Sequence, residues 1–113
     1  LSANANDYVS ELPYGMQKRL EIARALAMDP KLLILDEPTA GMNAVEAAEQ
    51  IALVKKLNEQ TGLSVILIEH NMKLLMDSVH RVLAIDAGRE IARGLPNEVQ
   101  NNPRVISAYL GED

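Results

Sequence analysis

Two pairs of ionisable side chains stand directly after short apolar runs of the sequence. Asp36 and Glu37 follow one aliphatic run, and Glu69 and His70 follow another. Carboxylates can bind a cation, and carboxylates and imidazoles can move a proton during catalysis. Carboxylates that follow a strand also often cap the next helix or face water, so the pair Asp36-Glu37 taken alone is compatible with both interpretations.

The runs that precede these pairs are predicted to be buried β-strands. Residues 32–35 and 65–68 are wholly aliphatic, and a third apolar run covers residues 82–85. Continuous apolar runs of this length are typical of strands covered on both faces. Because helical patterns alternate with these strands, the order indicates right-handed crossovers and an α/β fold with a mainly parallel sheet and flanking helices. In such folds ligands bind at the carboxyl ends of the strands, where both ionisable pairs are placed.

Helical patterns occupy the segments between the strands. Apolar residues recur at steps of three and four over residues 15–28, which predicts an amphipathic helix. Asn43 and Glu46 have capping-box spacing, so a second helix is expected to begin there, continue to about Gln60 and stop before Gly62. Shorter elements follow: a helix over residues 72–78, an antiparallel return over 90–93, and two short helices over 96–110 separated at Pro103.

Length, composition and charge exclude several classes of protein. The 113 residues suffice for one compact domain, and 48% hydrophobic with 24% charged residues is ordinary for a folded chain. The formal net charge of −5 and the lack of Phe and Trp argue against a nucleic-acid-binding surface. Without cysteine there is no disulfide framework and no cysteine nucleophile. The first residues lack an initiator Met and a signal-peptide pattern, so we expect the chain to be part of a longer sequence.

Three segments resemble motifs of the ATP-binding cassette (ABC) ATPases and come in that family's order. Residues 12–19 (LPYGMQKR) resemble the signature loop, residues 32–39 (LLILDEPT) resemble the Walker B segment, and residues 68–70 (IEH) resemble the switch-histidine motif. Three motifs in the expected order are far more specific than any one of them.

The resemblance implies a role for each ionisable residue of these motifs. Phosphoryl transfer to water needs a carboxylate for Mg²⁺, a group that activates the water and donors for the γ-phosphate of ATP. Asp36 is then expected to hold Mg²⁺ through water, Glu37 to orient or deprotonate the attacking water, and His70 to contact the γ-phosphate. A structural role is the alternative for His70, and it is the expectation for His80, which has no motif around it.

The signature-like segment starts a predicted helix, whose N-terminus favours a phosphate. In the family this loop reaches across a head-to-tail dimer to the ATP held by the other subunit. The resemblance therefore implies nucleotide contacts from Pro13, Tyr14, Gly15, Met16 and Gln17. Because Pro13, Tyr14 and Met16 replace the Ser, first Gly and Gln of the common L-S-G-G-Q pattern, the backbone N–H of Gly15 is the best candidate donor. A helix start without a ligand is the alternative.

Two further stretches resemble one subfamily. Residues 38–43 resemble the D-loop, with Asn43 where Asp is usual, which implies a contact across the dimer or only a neutral helix cap. These residues, the LPYG sequence and the tail over residues 102–112 resemble ATP-binding subunits of branched-chain amino acid importers.

The sequence contains no G-x-x-x-x-G-K-S/T phosphate-binding loop. We therefore expect the C-terminal portion of one ABC ATPase domain: residues 1–14 as the end of the helical subdomain and signature loop, 15–95 as part of the catalytic core, and 96–113 as C-terminal helices. For the complete protein the resemblance implies Mg²⁺-ATP hydrolysis that drives amino acid import. The expected partners are a second ATPase subunit and membrane permease subunits, at the cytoplasmic face of the cell membrane.

The 113-residue chain alone is expected to be inactive, and two alternatives stay open. It could be a non-catalytic module that self-associates or docks on a partner, because missing strands would expose sheet edges and apolar faces. It could also derive from an ABC ATPase of a non-transport machine, since repair and translation ATPases share the three motifs.

Overall fold

The computed structural model describes residues 14–110 of the chain, in which helices and strands alternate. The elements are α1 (Tyr14–Leu26), β1 (Leu32–Asp36), α2 (Ala44–Thr61), β2 (Ser64–Ile68), α3 (Met72–Met76), β3 (Val82–Asp86), β4 (Arg89–Gly94), α4 (Pro96–Gln100), α5 (Pro103–Val105) and a π-helical segment (Ile106–Leu110). The chain divides into two compact units after His70. The α/β class is confirmed, with one parallel and one antiparallel pair of strands. None of the helices between Tyr14 and Leu110 has the length and hydrophobicity that a membrane-spanning segment requires.

The first unit is built on the parallel pair β1 and β2. Its core combines residues from both helices, from β1 and from the residue before β2: Ile22, Leu33, Leu35, Val54 and Leu63. Burying an aliphatic side chain of this size contributes roughly 1.5–3 kcal/mol. This core is therefore the main force that holds α1 and α2 on the strands.

The other face of the parallel pair is apolar and exposed. Ile34 on β1 is 59% exposed, and Ile66 and Ile68 on β2 are 48% and 46% exposed. Successive side chains of a strand point to opposite faces, and β1 alternates accordingly between buried and exposed positions. The prediction that these strands are covered on both faces is wrong for the part of the chain that the structure describes, because there α1 and α2 cover one face and the isoleucines of the other face are exposed.

Helix α2 begins and ends where its capping residues predicted. The Asn43 side-chain oxygen accepts a hydrogen bond from the Glu46 N–H at 2.8 Å, and Oε1 of Glu46 accepts one from the Asn43 N–H at 3.4 Å. This pair of bonds is the expected capping box. After the helix, Gly62 has a φ of +71°, a left-handed conformation that glycine adopts without strain.

The second unit is built on the antiparallel pair β3 and β4. Its core is formed by residues from α3, β3, α4 and α5: Met76, Val82, Ala84, Val99 and Val105. Among residues 14–110, hydrogen bonds of the sheet join β3 to β4 only, so β3 belongs to the antiparallel return and not to the parallel pair. The hydroxyl of Tyr109 donates to the Ile85 carbonyl, which ties the C-terminal segment to β3.

A β-bulge shapes the antiparallel pair. The register shifts between Ala84 and Ile85, which leaves Ile91 as the extra residue of β4. The bulge brings Glu90 and Arg93 to the same side of the strand, and the Glu90 carboxylate accepts hydrogen bonds from the guanidinium. These hydrogen bonds, together with the negative charge of Glu90, raise the pKa of Arg93 above its ordinary value.

Candidate active site

The carboxyl ends of β1 and β2 lie side by side, and the candidate catalytic residues follow them. Asp36, the last residue of β1, stands opposite Ile68, the last residue of β2. The N–H of Glu37 donates to the Ile68 carbonyl at 2.8 Å, so the pairing extends one residue beyond β1. Glu69 and His70 continue directly from β2. The structure therefore places all four ionisable residues at one edge of the parallel pair, as the strand pattern predicted.

Glu37 and His70 are in direct contact. Oε1 of Glu37 lies 2.5 Å from Nε2 of His70. The His70 side chain is 80% exposed and the Glu37 side chain 40% exposed. A carboxylate and an imidazole that touch each other and reach solvent can orient a water molecule and move its proton.

Glu37 has an unusual backbone conformation. Its φ is +49°, in the left-handed region that residues other than glycine rarely adopt. Such a conformation costs of order 1–3 kcal/mol and persists only where the surrounding structure holds it. It ends β1 abruptly and takes Glu37 out of the alternation of the strand.

Backbone and side-chain hydrogen bonds hold the turn that follows Glu37. The Ala40 N–H donates to the Glu37 carbonyl, and the Met42 N–H donates to the Thr39 carbonyl, both at 3.1 Å. Thr39 is 7% exposed, and its N–H and hydroxyl both donate to Oε1 of Glu69, at 3.1 and 2.7 Å. The turn is thus attached to the end of β2 as well as to β1.

Asp36 is an exposed carboxylate at the same edge of the pair. It shares the exposed face of β1 with Ile34, because alternate residues of a strand point the same way. The structure therefore brings Glu37 and His70 into contact and presents Asp36 on the uncovered face of the parallel pair.

The residues predicted to contact a second nucleotide lie at the starts of α1 and α2. Helix α1 begins at Tyr14, and Pro13 lies outside the described residues. A methyl group on Gly15 would lie 3.0 Å from Oε2 of Glu46, so glycine permits a close approach of the two helices. The other oxygen of Glu46 accepts from the Asn43 N–H. One carboxylate therefore lies close to Gly15 and accepts from Asn43.

Further along α1, Met16 and Gln17 are partly buried. Nη2 of Arg19 lies 3.1 Å from Oε2 of Glu49, in an ion pair that also joins α1 to α2. The contacts of Gly15 and Arg19 fix the start of α1 against the start of α2.

The sequence also matches known families. Residues 1–40 match the family described as "ABC transporter", and residues 89–113 match the one described as "Branched-chain amino acid ATP-binding cassette transporter". The high-affinity branched-chain amino acid transport ATP-binding protein LivG of Salmonella typhimurium is 46% identical over 112 residues, which are 99% of this chain and 44% of that protein.

Solved structures of ATP-binding cassettes also superimpose on this chain. The crystal structure of a nucleotide-free ATP-binding cassette from an ABC transporter superimposes with a TM-score of 0.88 at 29% identity. The matched region is 99% of this chain and 46% of the chain in that crystal structure. A dimeric ATP-binding cassette in a post-hydrolysis state, bound to ADP and Pi, superimposes with a TM-score of 0.74 at 28% identity. The matched region is 85% of this chain and 41% of that cassette chain.

This chain belongs to the ABC transporter ATPase family. The predicted resemblance to ABC ATPases and to the ATP-binding subunits of branched-chain amino acid importers is confirmed. The ABC ATPase chain spans less than half the length of the curated relative it matches.

Sequence reasoning missed two contacts of the ABC ATPase chain. It placed Glu69 at the strand edge but gave it no partner, and the structure shows that Glu69 binds Thr39. It also treated Gly15 and Asn43 separately, whereas both lie next to the carboxylate of Glu46. The capping-box spacing identified Glu46 as a capping residue, but the sequence contains no signal for its approach to α1.

Proposed function

We propose that this chain is the C-terminal portion of an ATP-binding subunit that hydrolyses ATP to drive the import of branched-chain amino acids. The observation that carries the proposal is the 2.5 Å contact between Glu37 and His70 at the ends of two parallel strands. The name of the Salmonella LivG, a branched-chain amino acid transport ATP-binding protein, supports the substrate class. The match of residues 89–113 to a branched-chain amino acid transporter family also supports it.

In the proposed reaction Glu37 orients a water molecule and accepts its proton. The water oxygen attacks the γ-phosphorus of ATP, the bond to the β-phosphate oxygen breaks, and ADP and phosphate are released. His70 donates a hydrogen bond to the γ-phosphate, and its contact with Glu37 keeps the carboxylate near the attacked phosphorus. The exposure of both side chains supports this role because a nucleotide can reach them.

Asp36 is the proposed ligand of Mg²⁺. Mg²⁺ in nucleotide sites is held by one or two carboxylates, together with water and phosphate oxygens. The single exposed carboxylate of Asp36, one residue before Glu37, fits this pattern. When bound, the ion neutralises charge on the β- and γ-phosphates.

A second set of residues is proposed to contact the ATP held by another ATPase subunit in a head-to-tail dimer. The set comprises Pro13, Tyr14, Gly15, Met16, Gln17 and Asn43. The start of α1 at Tyr14 supports this role, since the N-terminus of a helix carries a partial positive charge that favours a phosphate. The dimeric ATP-binding cassette bound to ADP and Pi supports the proposed arrangement by analogy.

The remaining part of the proposed subunit supplies the phosphate-binding loop. We assign residues 1–14 to the end of a helical subdomain, 15–95 to the catalytic core and 96–113 to C-terminal helices. The exposed apolar face at Ile34, Ile66 and Ile68 supports a larger domain, because an apolar face of this kind calls for a covering partner. The complete subunit would bind membrane permease subunits at the cytoplasmic face of the membrane.

The same apolar face favours a second candidate function. A chain that exposes the isoleucines of β1 and β2 can associate with another chain without any chemistry. In this alternative the Glu37–His70 contact is only a structural ion pair at the surface. Measurement of ATP turnover separates the two candidates.

A chimeric subunit, in which this chain replaces the matching segment of Salmonella LivG, tests the proposal. The purified chimera is expected to release phosphate from Mg²⁺-ATP and to restore leucine uptake to a strain that lacks LivG. Glu37→Gln is expected to reduce phosphate release about 100-fold or more, because it removes the proton acceptor and keeps the shape of the side chain. The 113-residue chain alone is expected to show no turnover above background.

Glu59→Gln is the matched control, since Glu59 is an exposed carboxylate on α2 outside the proposed site. A folded chimera without turnover, or turnover that is insensitive to Glu37→Gln, would contradict hydrolysis by this site. Turnover without leucine uptake would contradict the importer role and favour an ATPase of another machine.

A further inference from the structure

Three consecutive residues at the end of β2 each contact the turn that follows β1. The Ile68 carbonyl accepts from the Glu37 N–H at 2.8 Å, and Nε2 of His70 lies 2.5 Å from Oε1 of Glu37. Between them, Oε1 of Glu69 accepts from both the N–H and the hydroxyl of Thr39. The end of β2 therefore contacts Glu37 directly and Thr39, two residues further on.

Of the three contacts, the one between Glu69 and Thr39 is partly buried. Thr39 is 7% exposed and Glu69 is half-buried, whereas the side chain of His70 is 80% exposed. Hydrogen bonds to a charged acceptor are roughly twice as strong as neutral ones, and partial burial strengthens them further. Of the two side-chain attachments between the turn and the end of β2, the one made by Glu69 is therefore the more buried.

This attachment acts on a strained residue. Glu37 has a φ of +49°, a conformation that the surrounding structure must hold in place. The Ile68 carbonyl fixes the amide of Glu37, and Thr39 fixes the chain after Pro38, which is itself buried. Without the acceptor on Glu69 the chain after Glu37 can relax toward an ordinary conformation, and the carboxylate then moves away from His70.

We propose that Glu69 is a positioning residue for the Glu37–His70 pair and acts through Thr39. The proposal rests on the function proposed above, because it assigns Glu69 to the same hydrolytic site. Glu69 does not touch the nucleotide or the attacking water in this scheme. Its two hydrogen bonds keep the turn closed, so that the carboxylate of Glu37 stays at the distance from His70 that the reaction needs.

The chimeric subunit carries the test. Glu69→Ala removes the acceptor and is expected to lower kcat about tenfold or more, with the KM for ATP within about twofold of the parent, since small misplacements of a reacting group reduce the rate strongly. Glu69→Gln keeps a side-chain oxygen that can accept both hydrogen bonds, and is expected to retain most of kcat. Glu59→Ala, at an exposed glutamate of α2, is the matched control.

A double variant separates positioning through Thr39 from a general loss of stability. Thr39→Val removes the hydroxyl donor, and combining it with Glu69→Ala is expected to lower kcat no further than Glu69→Ala alone. The thermal unfolding midpoint of each variant shows the fraction of folded protein in the assay. A kcat for Glu69→Ala within about twofold of the parent, or a loss equal to the loss of folded protein, would overturn the positioning role.

The outcome also distinguishes this inference from the function on which it rests. If the parent chimera hydrolyses ATP and Glu37→Gln abolishes the activity while Glu69→Ala does not affect it, only the positioning role fails. If the folded parent chimera has no turnover, or its turnover does not depend on Glu37, the proposed function fails and the role of Glu69 fails with it.

Discussion

Glu37 and His70 stand at the ends of two different strands, yet their side chains meet at 2.5 Å. The parallel pairing of β1 and β2 produces this contact, since it brings the carboxyl ends of both strands to the same edge. A carboxylate and an imidazole in contact at this edge have the chemical groups that the proposed orientation of water requires.

The two histidines of the chain are expected to differ in their effect on turnover. In the chimeric subunit, His70→Ala should lower phosphate release about 100-fold, because it removes the proposed donor to the γ-phosphate and the partner of Glu37. His80→Ala is the matched control, since His80 is also exposed and is not among the proposed site residues. Equal losses for the two variants would contradict a specific role for His70.

The buried amide of Gln50 is expected to lower stability. Gln50 lies on α2 with 0% exposure, and within the described residues neither atom of its amide has a hydrogen-bond partner. Gln50→Leu removes these unsatisfied groups at similar volume, so the free energy of unfolding should rise by about 1–3 kcal/mol. Urea unfolding of the 113-residue chain measures this change in the free energy of unfolding. Gln60→Leu, at an exposed position of α2, should change the value by less than about 0.5 kcal/mol.

The capping box of α2 gives a third prediction. Asn43→Ala removes the acceptor for the Glu46 N–H and should lower the free energy of unfolding by about 1 kcal/mol. Asn43→Asp keeps the acceptor and adds a negative charge at the helix N-terminus, so it should be at least as stable as the parent. The same urea unfolding measures both variants. A loss for Asn43→Asp as large as that for Asn43→Ala would show that the cap is not the cause.

The exposed face of the parallel pair is expected to drive association of the isolated chain. Ile34 and Ile66 are opposite each other on this face, at 59% and 48% exposure. Size-exclusion chromatography with light scattering should show species larger than a monomer, and Ile34→Lys should shift them toward the monomer. Val45→Lys, at an exposed valine of α2, is the control and should leave the distribution unchanged. A parent chain that elutes as a monomer would contradict this prediction.

Local signals in the sequence predicted most of the fold. Helix α2 was delimited by the capping residue Asn43 and by Gly62, because both act through hydrogen bonds within a few residues. The aliphatic runs predicted β1 and β2, and parallel pairing predicted that Glu37 and His70 share an edge. The same runs also led to the wrong prediction of two covered faces, because composition shows that a strand is suited to burial and does not show what covers it.

The remaining features depend on contacts between distant residues. The bond from Thr39 to Glu69 lies in the turn after Glu37, whose left-handed conformation the sequence does not indicate because glutamate rarely adopts it. The burial of Gln50 was not predicted either, because a polar residue on an amphipathic helix is expected to face solvent.

Ile68, Glu69 and His70 all contact the turn after β1. The proposed chemistry therefore depends on the register between β1 and β2. If β2 slipped by one residue along β1, every side chain of β2 would change face, and all three contacts would be lost together. The length of the short connection between α2 and β2, Gly62 and Leu63, is therefore constrained by the geometry around Glu37. An extra residue inserted there would misalign the two strand ends even though it touches none of the groups that meet at the site.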